Sequence, residues 1–443
     1  MAMGAATVFV VFGGTGDLMK RKLAPAFAKL FLSGVLNKDS AIIGVSRKKM
    51  SDEEYRSLLV SSLYEKKEQE ALRQLSVFYR AGDASREEGL HDLIELLKNY
   101  TRAEKVFYLA TSFTLFPDIL STLKKAGLDK NSKIVFEKPF GSDLQSSDAL
   151  NEEIKSFLPE EQVYRIDHYL AKETVLNLTT LKSANPFLQE ILHSRFVERI
   201  EVIADEHLGV GERLEYYDAS GAIKDMIQSH LLQILALILI ETPSELSAQE
   251  IHRRKFEVLS LIQPYEAQQH LLGQYRSYAH ELSARSLTPS STETFAHLVL
   301  NCTHERWKGV PLVLRTGKKL KTKYGCIRII FTPSPHLPAN ELLIDMYPLQ
   351  NITLILNSRT PGTSQQVKPV RLEFCRDCEF GPNSPDEYSV LLGEILQANS
   401  LLFPRYEEIR ASWKIVEKIE AMKKTIPFVI YDDFSEPLTA LPR

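Results

Sequence analysis

Three segments gather residue types that can do chemistry. The first is Lys224-Asp225-Met226-Ile227-Gln228-Ser229-His230, inside an apolar stretch. Asp225, Ser229 and His230 recur at i, i+4 and i+5, roughly one side of a helix. A histidine there has two readings: a hydrogen-bonded core residue, or a general base, since an imidazole titrates near neutral pH. The second is Arg165-Ile166-Asp167-His168-Tyr169-Leu170-Ala171-Lys172-Glu173, which brings carboxylate, imidazole, phenol and ammonium close together. His168, Tyr169 and Lys172 on one helical face or first turn would surround a phosphate. Asp167 also reads as the N-cap of a following helix, and Lys172 and Glu173 as an exposed helix face. The third is Glu137-Lys138-Pro139-Phe140-Gly141, directly after an apolar run. In a parallel sheet the C-terminal strand ends face the ligand crevice, which places Lys138 well.

A fourth segment has the layout of a dinucleotide-binding turn. Thr7–Phe12 reads as a strand, Gly13-Gly14-Thr15-Gly16-Asp17-Leu18 as the turn, and Asp17 to Leu32 as a helix. Glycines let the backbone approach a pyrophosphate, and the helix N-terminus supplies N–H donors and positive dipole. Gly14 and Gly16 match the first two glycines of G-x-G-x-x-G, and Met19 stands at the third. A glycine-rich loop without a ligand is the other reading. The second strand, Ala41–Val45, exits into Ser46-Arg47-Lys48-Lys49 rather than into Asp or Glu. Cations there suit a ribose 2′-phosphate and favour NADP, with a solvated run of loop charges as the alternative.

The elements that must position these residues fall into two textures. Up to about residue 140, short apolar strands (also Val106–Ala110 and Ile134–Phe136) alternate with helices, among them Ser51–Leu63 with Ser51 as N-cap. That alternation predicts a parallel sheet covered on both faces. From about Gln162 the pattern changes. Lys172–Lys182, Ser220–Ile240 and Asp386–Glu420 read as helices. Arg199–Ala204, His297–Asn301, Pro311–Arg315, Cys326–Phe331, Asn351–Leu356 and Val370–Phe374 alternate as strands of a broad antiparallel sheet. The expected fold is α/β then α+β: a Rossmann-type domain over residues 1–165, then a domain over 166–443 with a large, mainly antiparallel sheet and helices. Thr332–Pro338 reads as a loop.

Composition excludes several function classes. The 443 residues are 44% hydrophobic and 25% charged, with a formal net charge of −3. That balance gives no basis for nucleic-acid or basic membrane-surface binding. The strongest apolar run, Leu231–Ile240, contains Gln233 and falls short of the ~20 residues a spanning helix needs. The apolar N-terminal run has no basic residues before it, so it reads as a first strand rather than a signal peptide. Four cysteines are too few to staple such a chain, and a reducing cytoplasm is the expected setting. Cys375-Arg376-Asp377-Cys378 lacks a second pair for zinc and follows a strand without opening a helix, so both are expected reduced.

Along nearly its whole length the chain resembles the glucose-6-phosphate dehydrogenase family. The resemblance rests on RIDHYLAKE, EKPFG, Tyr216 to His230, Glu293–Phe295, Trp307 to Leu320 and Gln350 to Gly362, in that order. It implies an enzyme that oxidises glucose 6-phosphate at C1 to the 1,5-lactone with NADP, in the oxidative pentose phosphate pathway. It implies that His230 is the general base and Asp167 the carboxylate that orients and stabilises it. His168, Tyr169 and Lys172 become the sugar-phosphate clamp, and Glu206 and Asp225 hold sugar hydroxyls. Lys22, Lys138 and Lys318 fall at the substrate–cofactor junction, and Lys323 falls near a further basic position. Gly13, Gly14, Thr15, Gly16, Asp17, Leu18 and Arg47 belong to the cofactor site. No metal is needed, Pro139 follows a cis bond, and a homodimer or homotetramer is expected.

Met19, Lys224 in place of Arg, Ser229 in place of Asn and Cys326 in place of Glu depart from the family pattern. Two rival functions stand beside this reading. One is an NADP-dependent dehydrogenase of another aldose or amino sugar phosphate. The other is a non-catalytic regulatory relative that binds sugar phosphate and NADP.

Overall fold

The computed structural model describes residues 6–130, 132–243, 246–362, 366–381 and 385–437. The chain divides into two compact units. The first runs to Gly141 and adds Gln145–Ala171 and Pro385–Tyr406; the second holds Ser142–Leu144, Lys172 to residue 384, and the chain from Glu407. The sequence placed a single cut after residue 165. In the structure the change of unit falls after Ala171, and a C-terminal segment returns to the first unit.

The first unit is built on six parallel strands: β1 (Thr7–Phe12), β2 (Ala41–Ser46), β3 (Ser76–Ala81), β4 (Glu104–Leu109), β5 (Ser132–Phe136) and β6 (Val163–Arg165). Their order is β3-β2-β1-β4-β5-β6, the doubly wound arrangement whose crevice opens at the strand C-termini. All six residues of β1 are buried, as the unbroken apolar run requires when helices cover both faces. Phe9 lies 4.9 Å from Phe27 of the helix Ala24–Leu32, and each such buried side chain contributes about 1.5–3 kcal/mol. The helix Asp52–Ser61 begins with a capping box: the Ser51 side chain accepts from Glu54 N–H, and Glu54 accepts from Ser51 N–H. The returning helix Glu387–Leu396 is tied in through Asp386, whose carboxylate accepts from Lys29 at 2.8 Å.

The second unit carries a ten-stranded sheet: β7 (Val197–Asp205), β8 (Ile262–Pro264), β9 (Leu271–Tyr275), β10 (Phe295–Cys302), β11 (Leu312–Gly317), β12 (Tyr324–Phe331), β13 (Glu341–Tyr347), β14 (Ile352–Arg359), β15 (Val367–Phe374) and β16 (Phe428–Tyr431). The main path is β15-β14-β13-β12-β7-β11-β10-β9-β16, with β8 against β10. Most pairs are antiparallel, but β11 runs parallel to β7 and β16 parallel to β9. Burial alternates along β10, the mark of a sheet with one covered face.

Two expectations change here. The stretch Asp386–Glu420 is not one helix: Glu387–Leu396 ends before Tyr406–Met422 begins. Cys375 and Cys378 are joined as a disulfide, and Cys375 caps the short helix Arg376–Phe380. That turn brings the two Cα atoms to 5.3 Å, inside bonding reach. A spacing of three residues carries no sign of whether the turn will close. The helical stretch Gly211–Leu239 has the length and composition of a spanning helix, yet 83% of its most apolar window is buried, and it carries Asp225 and His230.

Candidate active site

In the first unit the glycine turn is made by backbone. Gly13 has φ +83°, and a Cβ there would meet Ala110 O at 2.4 Å. A Cβ on Gly14 would meet Gly44 Cα at 2.6 Å, so β1 and β2 approach closely only without one. Gly13 and Gly14 N–H both donate to Val45 O, at 2.9 and 3.1 Å. Thr15 Oγ1 lies 3.1 Å from Ser46 Oγ. Gly16 and Asp17 are exposed at the start of the helix, and Leu18 is half-buried. Met19 is wholly buried and opens a π-wound segment, Met19–Leu23. Arg47 is exposed beyond the end of β2. Lys22 Nζ stands 5.9 Å from the Tyr388 ring centroid.

The other candidates of this unit follow β5 and β6. The Lys138–Pro139 bond is cis, as the resemblance implied. Asp167 is buried, and its Oδ1 accepts from Tyr169 N–H at 3.0 Å. His168 to Ala171 form a turn rather than a helix, with the His168 and Tyr169 rings 5.0 Å apart. Asp167 thus caps a turn. The following helix, Glu173–Ala184, has Lys172 at its N-cap. Arg165 is buried and paired with Glu160 at 2.6 Å, a structural role.

In the second unit the site is made by side chains. The helix Leu214–Ala222 breaks at Gly221 (φ +66°), and Ile223–Leu231 continues with π winding. At 3.6 residues per turn, positions five apart lie about 140° from each other. The i to i+5 bonding of this segment widens the turn, which brings positions five apart closer round the axis than an α-helix does. His230 is 0% exposed and Asp225 3%. Ser229 Oγ donates to the Asp225 carbonyl at 2.9 Å, which occupies it with the backbone. Glu293 fixes the start of this segment. Its Oε1 accepts from Ile223 N–H at 3.1 Å, its carbonyl accepts from Ala222 N–H at 3.0 Å, and Lys423 pairs with it at 2.8 Å. Burial pushes the Glu293 carboxyl up, and Lys423 works against that.

Glu206 and Lys318 form an ion pair, and Lys318 Nζ is 5.5 Å from the Tyr217 ring centroid. Lys172 and Lys323 come to one ring, that of Tyr347. Cys326 is buried within β12, where desolvation pushes its thiol up to about 12. Asp167, His168, Tyr169, Lys22 and Lys138 fall in the first unit, and Lys172, Glu206, Asp225, His230, Lys318 and Lys323 in the second.

Two family models cover this layout: "Glucose-6-phosphate dehydrogenase, NAD binding domain" matches residues 10–177, and "Glucose-6-phosphate dehydrogenase, C-terminal domain" matches 179–437. The chain belongs to the glucose-6-phosphate dehydrogenase family. It is 33% identical over 454 residues to glucose-6-phosphate 1-dehydrogenase of Bacillus subtilis, covering 95% of this chain and 92% of that protein. It is 34% identical over 443 residues to the Rhizobium meliloti enzyme, covering 93% and 90%. A solved glucose-6-phosphate dehydrogenase in complex with glucose 6-phosphate superposes with a TM-score of 0.90 at 30% identity, covering 99% of this chain and 97% of that one.

Several residues that shape these sites escaped the sequence reading. Tyr55 donates to Gly14 O at 2.9 Å, and its ring fills the space a side chain on Gly44 would take. The glycine inside β2 was the available signal. Glu137 accepts from Tyr108 at 2.5 Å and Tyr388 at 3.3 Å; burial pushes its carboxyl up to about 7. Glu293 lay inside a quoted motif without a role. Lys423 and Tyr347 carried no local signal.

Proposed function

We propose that this chain oxidises D-glucose 6-phosphate at C1 to 6-phospho-D-glucono-1,5-lactone, with NADP+ as the cofactor. The observation that carries this reading is a wholly buried imidazole, His230, on the same π-wound segment as the buried carboxylate of Asp225, in a chain of this family. The cofactor fits the first unit. Its glycine turn leaves no room for side chains at Gly13 and Gly14, and its second strand exits into Arg47 without a carboxylate. Gly13 to Leu18 would hold the pyrophosphate, and Arg47 the 2′-phosphate that separates NADP from NAD. When bound, the nicotinamide supplies the hydride acceptor.

His230 removes the C1 hydroxyl proton at an imidazole nitrogen, and Asp167 stabilises the imidazolium. Asp225 and Glu206 orient sugar hydroxyls, with Lys318 paired to the Glu206 carboxylate. His168, Tyr169, Lys172 and Lys323 bind the phosphate, whose binding energy positions C1. Lys22 and Lys138 serve the substrate–cofactor junction. The first unit is then the cofactor-binding part and the second the substrate-binding part, in a cytoplasmic enzyme. Copies pair as a homodimer or higher: β15 is an edge strand with Val367, Leu372 and Phe374 exposed, and unpaired edges of this kind recruit partners.

Initial rates with glucose 6-phosphate, other aldose and amino sugar phosphates and glucose, each with NADP+ and NAD+, test the reading through the absorbance of the reduced nicotinamide. Glucose 6-phosphate with NADP+ should give the highest kcat/KM. A higher value for another sugar phosphate would move the substrate. Binding of both ligands without turnover would make the chain a regulatory relative.

A further inference from the structure

We propose that Tyr347 is a positioning residue for the substrate phosphate, its ring holding the Lys172 and Lys323 ammonium groups in place before the substrate arrives. This rests on the reading of those two lysines as phosphate ligands. Lys172 Nζ lies 5.4 Å from the Tyr347 ring centroid and Lys323 Nζ 5.5 Å, both within cation–π reach. The two cations come from distant parts of the sequence: Lys172 stands at the N-cap position of the helix Glu173–Ala184, and Lys323 directly precedes β12.

Two ammonium groups at one ring, one of them beside a helix N-terminus, make a locus of positive charge that draws an anion. A dianionic phosphate is drawn there more strongly than a neutral hydroxyl, which ties this ring to selection of phosphorylated over unphosphorylated sugar.

The ring is itself held by the sheet. β12 and β13 pair Gly325 with Tyr347, and the register shifts between Gly325 and Cys326. A Cβ on Gly325 would lie 2.4 Å from Tyr347 Cε1 and 2.5 Å from Cζ, so the ring occupies the space any side chain there would take. Lysine stems are flexible, whereas a ring seated on strand backbone is not. Seating the ring transfers the order of the sheet to the two ammonium groups, and preorganised groups lose less freedom on binding. Tyr347 is half-buried, so one part of the ring stays open to a ligand.

The test measures binding and turnover separately on the full chain. Calorimetric titration with glucose 6-phosphate and with inorganic phosphate gives Kd; steady-state rates give KM and kcat. Tyr347→Leu should weaken both ligands roughly tenfold and raise KM with kcat within about twofold. Tyr347→Phe should restore wild-type binding, because the ring and not the hydroxyl does the holding. Gly325→Ala should reproduce the loss by displacing the ring. In a Lys172→Ala background Tyr347→Leu should cost much less, since one partner is gone. Unchanged Kd values in folded Tyr347→Leu, an equal loss in Tyr347→Phe, or full additivity with Lys172→Ala would each overturn the proposal. A wild-type chain that binds both ligands but never reduces the cofactor would overturn the proposed activity and leave this binding test standing.

Discussion

The two units build their candidate sites from different parts of the chain. In the first, the nucleotide turn is backbone: three glycines, N–H groups aimed at Val45 O, and a helix start, with few charges. In the second, the helix from Leu214 to Leu239 presents buried side chains, Asp225 and His230, held from outside by Glu293 and Lys423. Both use a π-wound segment next to the working residues, Met19–Leu23 and Ile223–Leu231. The difference teaches where each site is fragile. A backbone site fails when a Cβ is added, whereas a side-chain site fails when a functional group is removed or its support moves.

The sharpest challenge is His230→Asn. Turnover should fall by about 10³–10⁴-fold with glucose 6-phosphate binding largely kept, read by single-turnover rates and calorimetry. Near-normal turnover would end the assignment of the base.

The next largest effects come from paired glycine substitutions. Gly221→Ala forces a side chain into φ +66° and to 2.3 Å from Glu293 Oε1, so kcat should drop by tenfold or more and the melting temperature should fall. Gly14→Ala should instead raise KM for NADP+ and leave kcat at saturating cofactor within about threefold. The comparison breaks if the two variants exchange signatures. Arg47→Ala sharpens the cofactor side further: the NADP+ over NAD+ preference should shrink by about 10–100-fold, the worth of a charge-assisted hydrogen bond, with kcat for NAD+ unchanged.

The smallest effect is on stability against pH, where one buried carboxyl from each unit behaves oppositely. Burial raises Glu137 to about 7, outweighing the Tyr108 and Tyr388 hydroxyls and the charge and backbone hydrogen bond of Lys138. The folded chain then holds a proton that the unfolded chain releases, so this group costs stability as pH rises from its ordinary range near 4.5 through 7. Burial would also raise Glu408, but Lys255 and His252, each 2.6 Å away, outweigh it and hold the carboxyl at about 2. Its contribution is present above pH 4.5 and is lost as pH falls towards 2. Denaturant titrations across that range should show Glu137→Gln flattening the decline towards pH 7, while Glu408→Gln destabilises most above pH 4.5.

The parallel sheet was legible because continuous apolar strands separated by helices admit few other arrangements, and β1, β2, β4 and β5 stand where Thr7–Phe12, Ala41–Val45, Val106–Ala110 and Ile134–Phe136 were read. β3 (SVFYRA) escaped because Ser76 and Arg80 interrupt it. β13 escaped because Asp345 breaks its apolar pattern; in the structure that carboxylate accepts from the Tyr324 hydroxyl at 2.9 Å. The site residues were legible as an ordered series of motifs, which names residue types but not their supports.

By itself the sequence determined which groups are available: a glycine turn, an imidazole in an apolar helix, scattered lysines and a cationic exit from the second strand. Only tertiary structure decided that the segment carrying Asp225 and His230 is π-wound, that Glu293 anchors it, that Cys375 bonds Cys378, and that Lys172 and Lys323 share one ring. The physical reason is range. Turn chemistry and burial patterns act between neighbours in the chain, whereas the winding of a helix and the meeting of distant side chains follow from packing that no local stretch encodes.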